Sequence, residues 1–252
     1  VLTARAKELI EPVDRALEAA QGALFHHQFD ADRAKVRFVI ATADYVATVL
    51  APGFARVLQD AYPGVSVHFV QGGDPSFAAF RDGDFDLVLS DARITDRLLQ
   101  QNGLTEDTIA RRGLWTDEAV GIVREGVAVP SSLDDFLARP HAAFQFGPTF
   151  VGRLDEPVIE RQDLLRNNRV LVPNFHLLPL TVLQSDCIAA VPESLARCYA
   201  KQLPLTVFPL PYEAATIHIE QVWMPRDTKS PRHRWLRDRV DQVVADTDFV
   251  GG

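Results

Sequence analysis

Cysteine is scarce in this chain of 252 residues: Cys187 and Cys198 stand eleven positions apart, with no CxxC pair and no cluster of histidines beside them. Neither a zinc site nor a disulfide framework follows from that spacing, and both are expected to be reduced, buried thiols. Catalytic signatures are missing as well. No GxSxG elbow, HExxH, P-loop or GxGxxG occurs, and the seven histidines are scattered except for adjacent His26-His27. An enzyme has no constellation to stand on, and neither metal nor cofactor is expected. Long apolar runs are absent: stretches such as Leu87 to Leu89 and Ile188 to Val191 fall far short of the ~18 residues that cross a bilayer. The opening residues lack the apolar stretch of a secretory signal, so a cytoplasmic chain is expected. Positive charge is in deficit. With 26 Lys and Arg against 34 Asp and Glu the net charge is -8, and such a surface repels nucleic acid. No fixed-period repeat and no dominant residue type occurs, which excludes repeat, fibrous and disordered classes.

What is present is a globular composition, 47% hydrophobic and 24% charged, enough for one large or two small domains. Leu2, Ala6, Leu9, Val13, Ala16, Ala20 and Leu24 recur at helical spacing, and Thr3 can cap the start. A helix over 1–25, bent at Pro12, carries a narrow apolar stripe suited to packing on a second helix. Leu2, Leu9, Val13, Ala16 and Ala20 are therefore the expected dimerisation residues. A terminal helix lying on its own core is the alternative. Residues 26–30 form a polar hinge.

Strands then alternate with helices. Val36 to Ala41, Val65 to Val70 and Asp86 to Ser90 read as strands, with helices at Tyr45 to Ala61 and Pro75 to Arg81. This βαβαβ order implies a parallel sheet with right-handed crossovers. Ile109 to Trp115 and Glu118 to Val123 read as two strands divided by a turn at Thr116-Asp117. After Arg124 to Pro130 the pattern restarts: helix Leu133 to Ala138 capped by Ser131 or Ser132, strand His141 to Phe146, helix Asp155 to Arg166, strand Arg169 to Pro173, helix Leu177 to Leu183. Strand Cys187 to Val191, helix Glu193 to Ala200, strands Leu205 to Leu210 and Ala215 to Met224, and a last helix from Pro231 to about Val244 complete it. The expected organisation is one α/β subdomain over 31–124 and 221–252, a second over 125–220, and two crossings between them.

Particular stretches carry a resemblance. Leu2-Thr3-Ala4-Arg5-Ala6 leading into a long helix, Phe38-Val39-Ile40-Ala41-Thr42-Ala43-Asp44-Tyr45, Val172-Pro173-Asn174-Phe175, Ser185-Asp186-Cys187-Ile188-Ala189-Ala190-Val191-Pro192-Glu193 and Trp235-Leu236-Arg237 occur in an order that resembles LysR-type transcriptional regulators. The likeness is to the subgroup of nodulation and aromatic-degradation regulators. It implies a long N-terminal linker helix and two Rossmann-like α/β subdomains joined by two crossovers, like type 2 periplasmic binding proteins. It also implies a homodimer or homotetramer, a small-molecule effector, and DNA contact only through a domain ahead of the linker helix, so that this chain is expected to be a truncated regulator.

Effector-binding candidates follow from the rule that ligands gather beyond the carboxyl ends of parallel strands. Thr42 and Asp44 follow the first strand, Gly73 the second and Ser90 the third. Gly147 and Thr149 follow one strand of the second subdomain, and Asn174, Phe175 and His176 another. Thr42 can donate to a carboxylate or cap the next helix, and Asp44 is read as a cap or acceptor that opposes an anion if it points inward. Gly72-Gly73 suits close approach of a ligand or a plain turn. Phe144, Phe146, Phe150 and Phe175 concentrate aromatic surface suited to a flat ligand, although alternation leaves one of Phe144 and Phe146 as core. His176 is either a titrating ligand contact or a surface histidine. Gln184 falls where the resemblance places a polar contact. The expected effector is a small aromatic or acidic molecule between the subdomains.

Two further readings compete. The run Arg226, Lys229, Arg232, Arg234, Arg237 and Arg239 resembles a nucleic-acid patch, but interspersed aspartates favour a solvated helix face. A stand-alone bilobal solute-binding protein has the same fold, and the missing signal and the apolar helix stripe count against it.

Overall fold

β1 (Val36–Thr42) is the spine of the first lobe: burial alternates from Val36 to Ile40, as successive strand residues face opposite ways, and both faces are buried at its end, Ile40 to Thr42. Phe38 and Ile40 are fully buried on one face; Phe38 stacks on Trp235 at 5.6 Å, and Phe29 meets both edge-on. In the computed structural model the described residues are 3, 5, 9, 13, 29–71, 76–146, 150–151, 167–214 and 216–247. β1 pairs in parallel with β2 (Val65–Gln71) and β3 (Leu87–Asp91), linked through α1 (Asp44–Ala61) and α2 (Ser76–Asp82). The βαβαβ expectation holds. Tyr45, Val46, Val49, Leu50 and Phe54 form the buried face of α1.

Helix α3 (Ala92–Gln101) was not expected. Asp91 caps it, accepting the Arg93 N–H at 3.0 Å, and Thr95 and Leu99 face the core. An aspartate ahead of Ile94, Leu98 and Leu99 at helical spacing is the signal that the sequence held.

The turn expected at Thr116-Asp117 does not form. Instead β4 (Ala110–Arg124) runs unbroken for 15 residues, because its backbone there is laddered: Thr116 lies opposite His218 and Asp117 opposite Ile217. Polar residues at those positions are tolerated because Asp117 finds partners for its carboxylate, described below. Over Ala110 to Glu118 the neighbour is β10 (Thr216–Trp223); from Ala119 to Arg124 it is β8 (Ala189–Pro192) and β9 (Leu205–Pro209). β10 returns between β3 and β4, antiparallel to both, so the first sheet is mixed.

In the second lobe α4 (Leu133–Ala138) is capped by Ser132. β5 (Pro140–Phe146) pairs in parallel with β7 (Asn167–Val172) and antiparallel with β6 (Phe150–Val151). Ala142 donates to the Ile188 carbonyl and Ile188 to that of Pro140, both at 2.9 Å, which brings β5 alongside the approach to β8. Two helices, α5 (Leu177–Leu183) and α6 (Glu193–Ala200), cover this lobe, and α7 (Pro231–Ala245) packs back on the first. Gly121 permits the β4–β9 contact: a Cβ there would sit 2.2 Å from the Phe208 ring.

The basic run near the C-terminus is not a uniformly solvated face. Arg237 is buried and lies 4.5 Å over the Trp223 ring, while Arg232 lies 4.7 Å over Phe38 and pairs with Asp86 at 3.2 Å. Their alkyl stems and flat guanidinium groups fill apolar gaps between α7 and the sheet. Cys187 is buried as expected, whereas Cys198 is half-buried. Leu9 and Val13 are helical and exposed at 42% and 49%. Leu2, Ala16, Ala20 and the helix expected over Asp155 to Arg166 lie outside the described residues. Among the described residues no helix is long and apolar enough to cross a membrane, and no group of three or more His, Cys, Asp or Glu side chains is placed to hold a metal ion.

Candidate functional site at the lobe seam

Two consecutive residues from each lobe meet where β1 and β7 end. Asp44 and Tyr45 open α1; Phe175 and His176 precede α5. The Asp44 carboxylate accepts the His176 backbone N–H at 2.8 Å, and the same oxygen accepts from the His176 ring Nδ1 at 3.0 Å. Beside this contact Tyr45 meets Phe175 edge to face at 5.4 Å, and Phe175 stacks on Phe144 of β5 at 4.2 Å. Offset and edge-on aromatic pairs of this kind add about 0.5–1.5 kcal/mol beyond area burial. The seam is therefore polar at its rim and aromatic beneath, with Asp44 and Tyr45 reaching into the second lobe.

Thr42 is close by but differently engaged. It is buried, and its hydroxyl donates to the Leu89 carbonyl at 2.8 Å, tying β1 to β3. It caps no helix; Ala43 holds that position in α1 without a side-chain bond. Asp44 proves to be an acceptor, as one of its readings had it, but it accepts across the seam rather than from its own helix.

Two further carboxylates are occupied in the same way. Asp91 takes the Arg93 N–H and its guanidinium, the latter at 2.6 Å. Asp117, buried at the centre of β4, accepts the Ser194 hydroxyl at 2.5 Å, the Ser194 N–H at 3.2 Å and the Glu118 N–H at 2.9 Å, so it closes the start of α6. Burial pushes the Asp117 carboxyl above its ordinary range, and the Ser194 bonds pull it partly back. The Tyr45 hydroxyl is raised first by burial and then by the negative charges of Asp117 and Asp91, against a smaller opposite effect of Arg93, with Asp44 adding to the rise. Three carboxylates thus act on one phenol.

The other expected residues are dispersed. Ser90 faces away from Thr42, on the opposite side of the sheet, where it lines a small apolar cavity with Phe80, Thr95, Leu99, Ile109 and Val222. Asn174 is half-buried, and its carbonyl accepts from Leu177. Gln184 is exposed at the far end of α5, about 12 Å along the helix from His176 at 1.5 Å per residue. Phe146 ends β5. Gly73, Gly147 and Thr149 lie outside the described residues. Sequence reasoning missed Tyr45, Asp117 and Ser194. Tyr45 was legible as the apolar partner of Asp44 at a helix start, whereas Asp117 and Ser194 are 77 positions apart and nothing local links them.

The comparisons with known proteins agree among themselves. A family model described as "LysR substrate binding domain" matches residues 31–245. The chain is similar to HTH-type transcriptional regulator SyrM 1 of Sinorhizobium fredii, 26% identical over 213 residues that cover 83% of this chain and 59% of that protein. It is also similar to Nodulation protein D 2 of Rhizobium tropici, 26% identical over 245 residues, covering 96% and 75% respectively. Of solved structures, the probable transcriptional regulator PA0477 from Pseudomonas aeruginosa aligns with a TM-score of 0.76 at 24% identity, over 98% of this chain and 78% of that one. At that identity the structural likeness speaks for the fold alone. This chain spans under two thirds of the length of SyrM 1 and about three quarters of that of the nodulation protein.

Proposed function

The chain belongs to the LysR substrate binding domain family, and from that premise we propose that it is the sensing and oligomerising part of a DNA-binding transcription regulator that works in the cytoplasm. Its relative SyrM 1 is an HTH-type transcriptional regulator, so the task in this reading is to bind a molecule and change shape, with no bond broken. In this reading the effector is small and flat. It enters between the lobes beside Tyr45, Phe175 and Phe144, and Thr42, Asp44, Asn174 and His176 stand around its polar part.

The observation that carries the reading is the seam itself. Asp44 and Tyr45 of one lobe rest on Phe175 and His176 of the other through two hydrogen bonds and an edge-to-face aromatic contact, where the ends of β1 and β7 bring helix starts together, the place that ligands favour in open α/β sheets. In this reading the lobes turn about the two strand handovers, within β4 at Glu118–Ala119 and at the start of β10 at Thr216. DNA is reached through a separate domain of the full-length protein. The exposed Leu9 and Val13 pair with a second copy.

A panel of small aromatic compounds, followed by backbone amide chemical shifts, tests the sensing site. Hits are expected to move residues 42–45 and 174–176. Hits that move only other regions, or stabilisation by sugars or metal ions alone, would overturn it. Sedimentation of Leu9→Glu with Val13→Glu tests the pairing: dissociation is expected, and unchanged assembly refutes it.

A further inference from the structure

Three sets of hydrogen-bond donors around the seam are already taken by carboxylates. The His176 N–H and ring Nδ1 both point at Asp44; the Arg93 N–H and guanidinium are held by Asp91; the Ser194 N–H and hydroxyl are held by Asp117. Helix starts would ordinarily welcome a carboxylate. Here the protein's own carboxylates already occupy the starts of α3, α5 and α6, while α1 begins without a side-chain cap. Of the three, Asp91 bonds within the cap of α3, and Asp117, itself buried, holds the buried start of α6 against β4. Asp44 joins the two lobes at the open rim of the seam, with its side chain 14% exposed beside a His176 side chain that is 39% exposed.

Resting on the sensing reading above, we propose that Asp44 is the charge selector of the site: it withholds the His176 donors from acidic effectors and turns the pocket toward neutral or cationic aromatic ligands. An incoming carboxylate would have to displace Asp44 and then lie beside it, two like charges in a partly desolvated seam. Neither Asp91 nor Asp117 can relieve that repulsion, since both are carboxylates of the same sign. A ligand with an amide, hydroxyl or ammonium donor instead finds an acceptor in Asp44 and an aromatic wall in Tyr45 and Phe175.

The probes are benzoate, benzamide and benzylamine, three rings of the same size and different charge, titrated into the wild type, Asp44→Asn and Asp44→Ala while the amides of Thr42 to Tyr45 and Phe175 to His176 are observed. The quantity that decides is the ratio of benzoate to benzamide affinity, because a general loosening of the seam would move both ligands alike. In the wild type benzamide and benzylamine are expected to bind at least tenfold tighter than benzoate. The ratio should rise toward benzoate in Asp44→Asn, which removes the charge, and further in Asp44→Ala, which also frees the His176 donors. Benzoate binding at these amides in the wild type as tightly as benzamide overturns the selector and leaves the sensing site standing, as does a ratio unchanged by both substitutions. Silence of these amides toward all three probes in all three proteins overturns the sensing site and the selector with it.

Discussion

Removing the Asp117 carboxylate should cost more stability than any other polar substitution at the crossing strand. In Asp117→Ala the Ser194 hydroxyl and N–H lose their acceptor while Ser194 itself is 1% exposed, so water cannot replace it. Each orphaned buried donor costs about 1–3 kcal/mol, and relief of the buried charge returns part of that, leaving a net loss of about 2–4 kcal/mol. For a chain of this size that corresponds to roughly 5–15 °C in Tm. Ser194→Ala alone removes one donor. The double variant leaves the mismatch smaller than the sum, with a coupling of about 1–3 kcal/mol. The pH dependence has a definite sign. Because burial raises the Asp117 pKa in the folded state, the folded protein retains a proton that the unfolded chain has already released. Stability contributed by this group therefore falls as pH rises from the ordinary aspartate value, about 3.9, through the raised one. The gap between wild type and Asp117→Ala should narrow over that interval and be flat above it. Urea unfolding at a series of pH values reads both quantities; a loss below about 0.5 kcal/mol, or a gap that widens with pH, refutes the reasoning.

Other outcomes are expected elsewhere. Gly121→Ala puts a Cβ into the Phe208 ring and should cost about 1–3 kcal/mol, partly recovered by Phe208→Leu; an unchanged urea midpoint would show that the ring moves freely. In α7, Arg237 donates to His233 Nδ1 at 2.6 Å, which fixes the neutral tautomer and sends Nε2–H to the Asp86 carbonyl at 2.6 Å. Burial lowers the His233 pKa, so on acidification below about 6.5 the unfolded state takes up a proton before the folded one and stability drops; His233→Gln should remove that part of the acid slope. The Cys198 thiol is pushed up by burial. It should react with a disulfide reagent more slowly than a free cysteine at neutral pH, and Cys187 only on unfolding; fast labelling of Cys187 in the native protein would contradict its buried placement.

Periodicity alone located most elements of this protein. The strands at Val36, Val65 and Leu87, the helices at Leu133, Leu177, Glu193 and Pro231, and the two-lobed α/β class all follow from local apolar spacing, caps and proline, because those signals act within a few residues. The same local rule placed Thr42, Asp44, Phe175 and His176 at strand ends, where the seam forms. What each of them does was decided by residues far away in sequence. Thr42 spends its hydroxyl on Leu89, Asp44 reaches His176 across 132 positions, and Ser90, one residue before a helix cap, turns to the opposite face of the sheet. The sequence marked Thr116-Asp117 as a break because two polar residues in a row favour a turn. Only the pairing of β4 with β10, and the Ser194 donors waiting for Asp117, made that stretch a continuous strand. Local spacing sets which way a side chain can point, but hydrogen bonds in a buried seam are made with whatever the other lobe presents, and that is fixed only when the chain has closed.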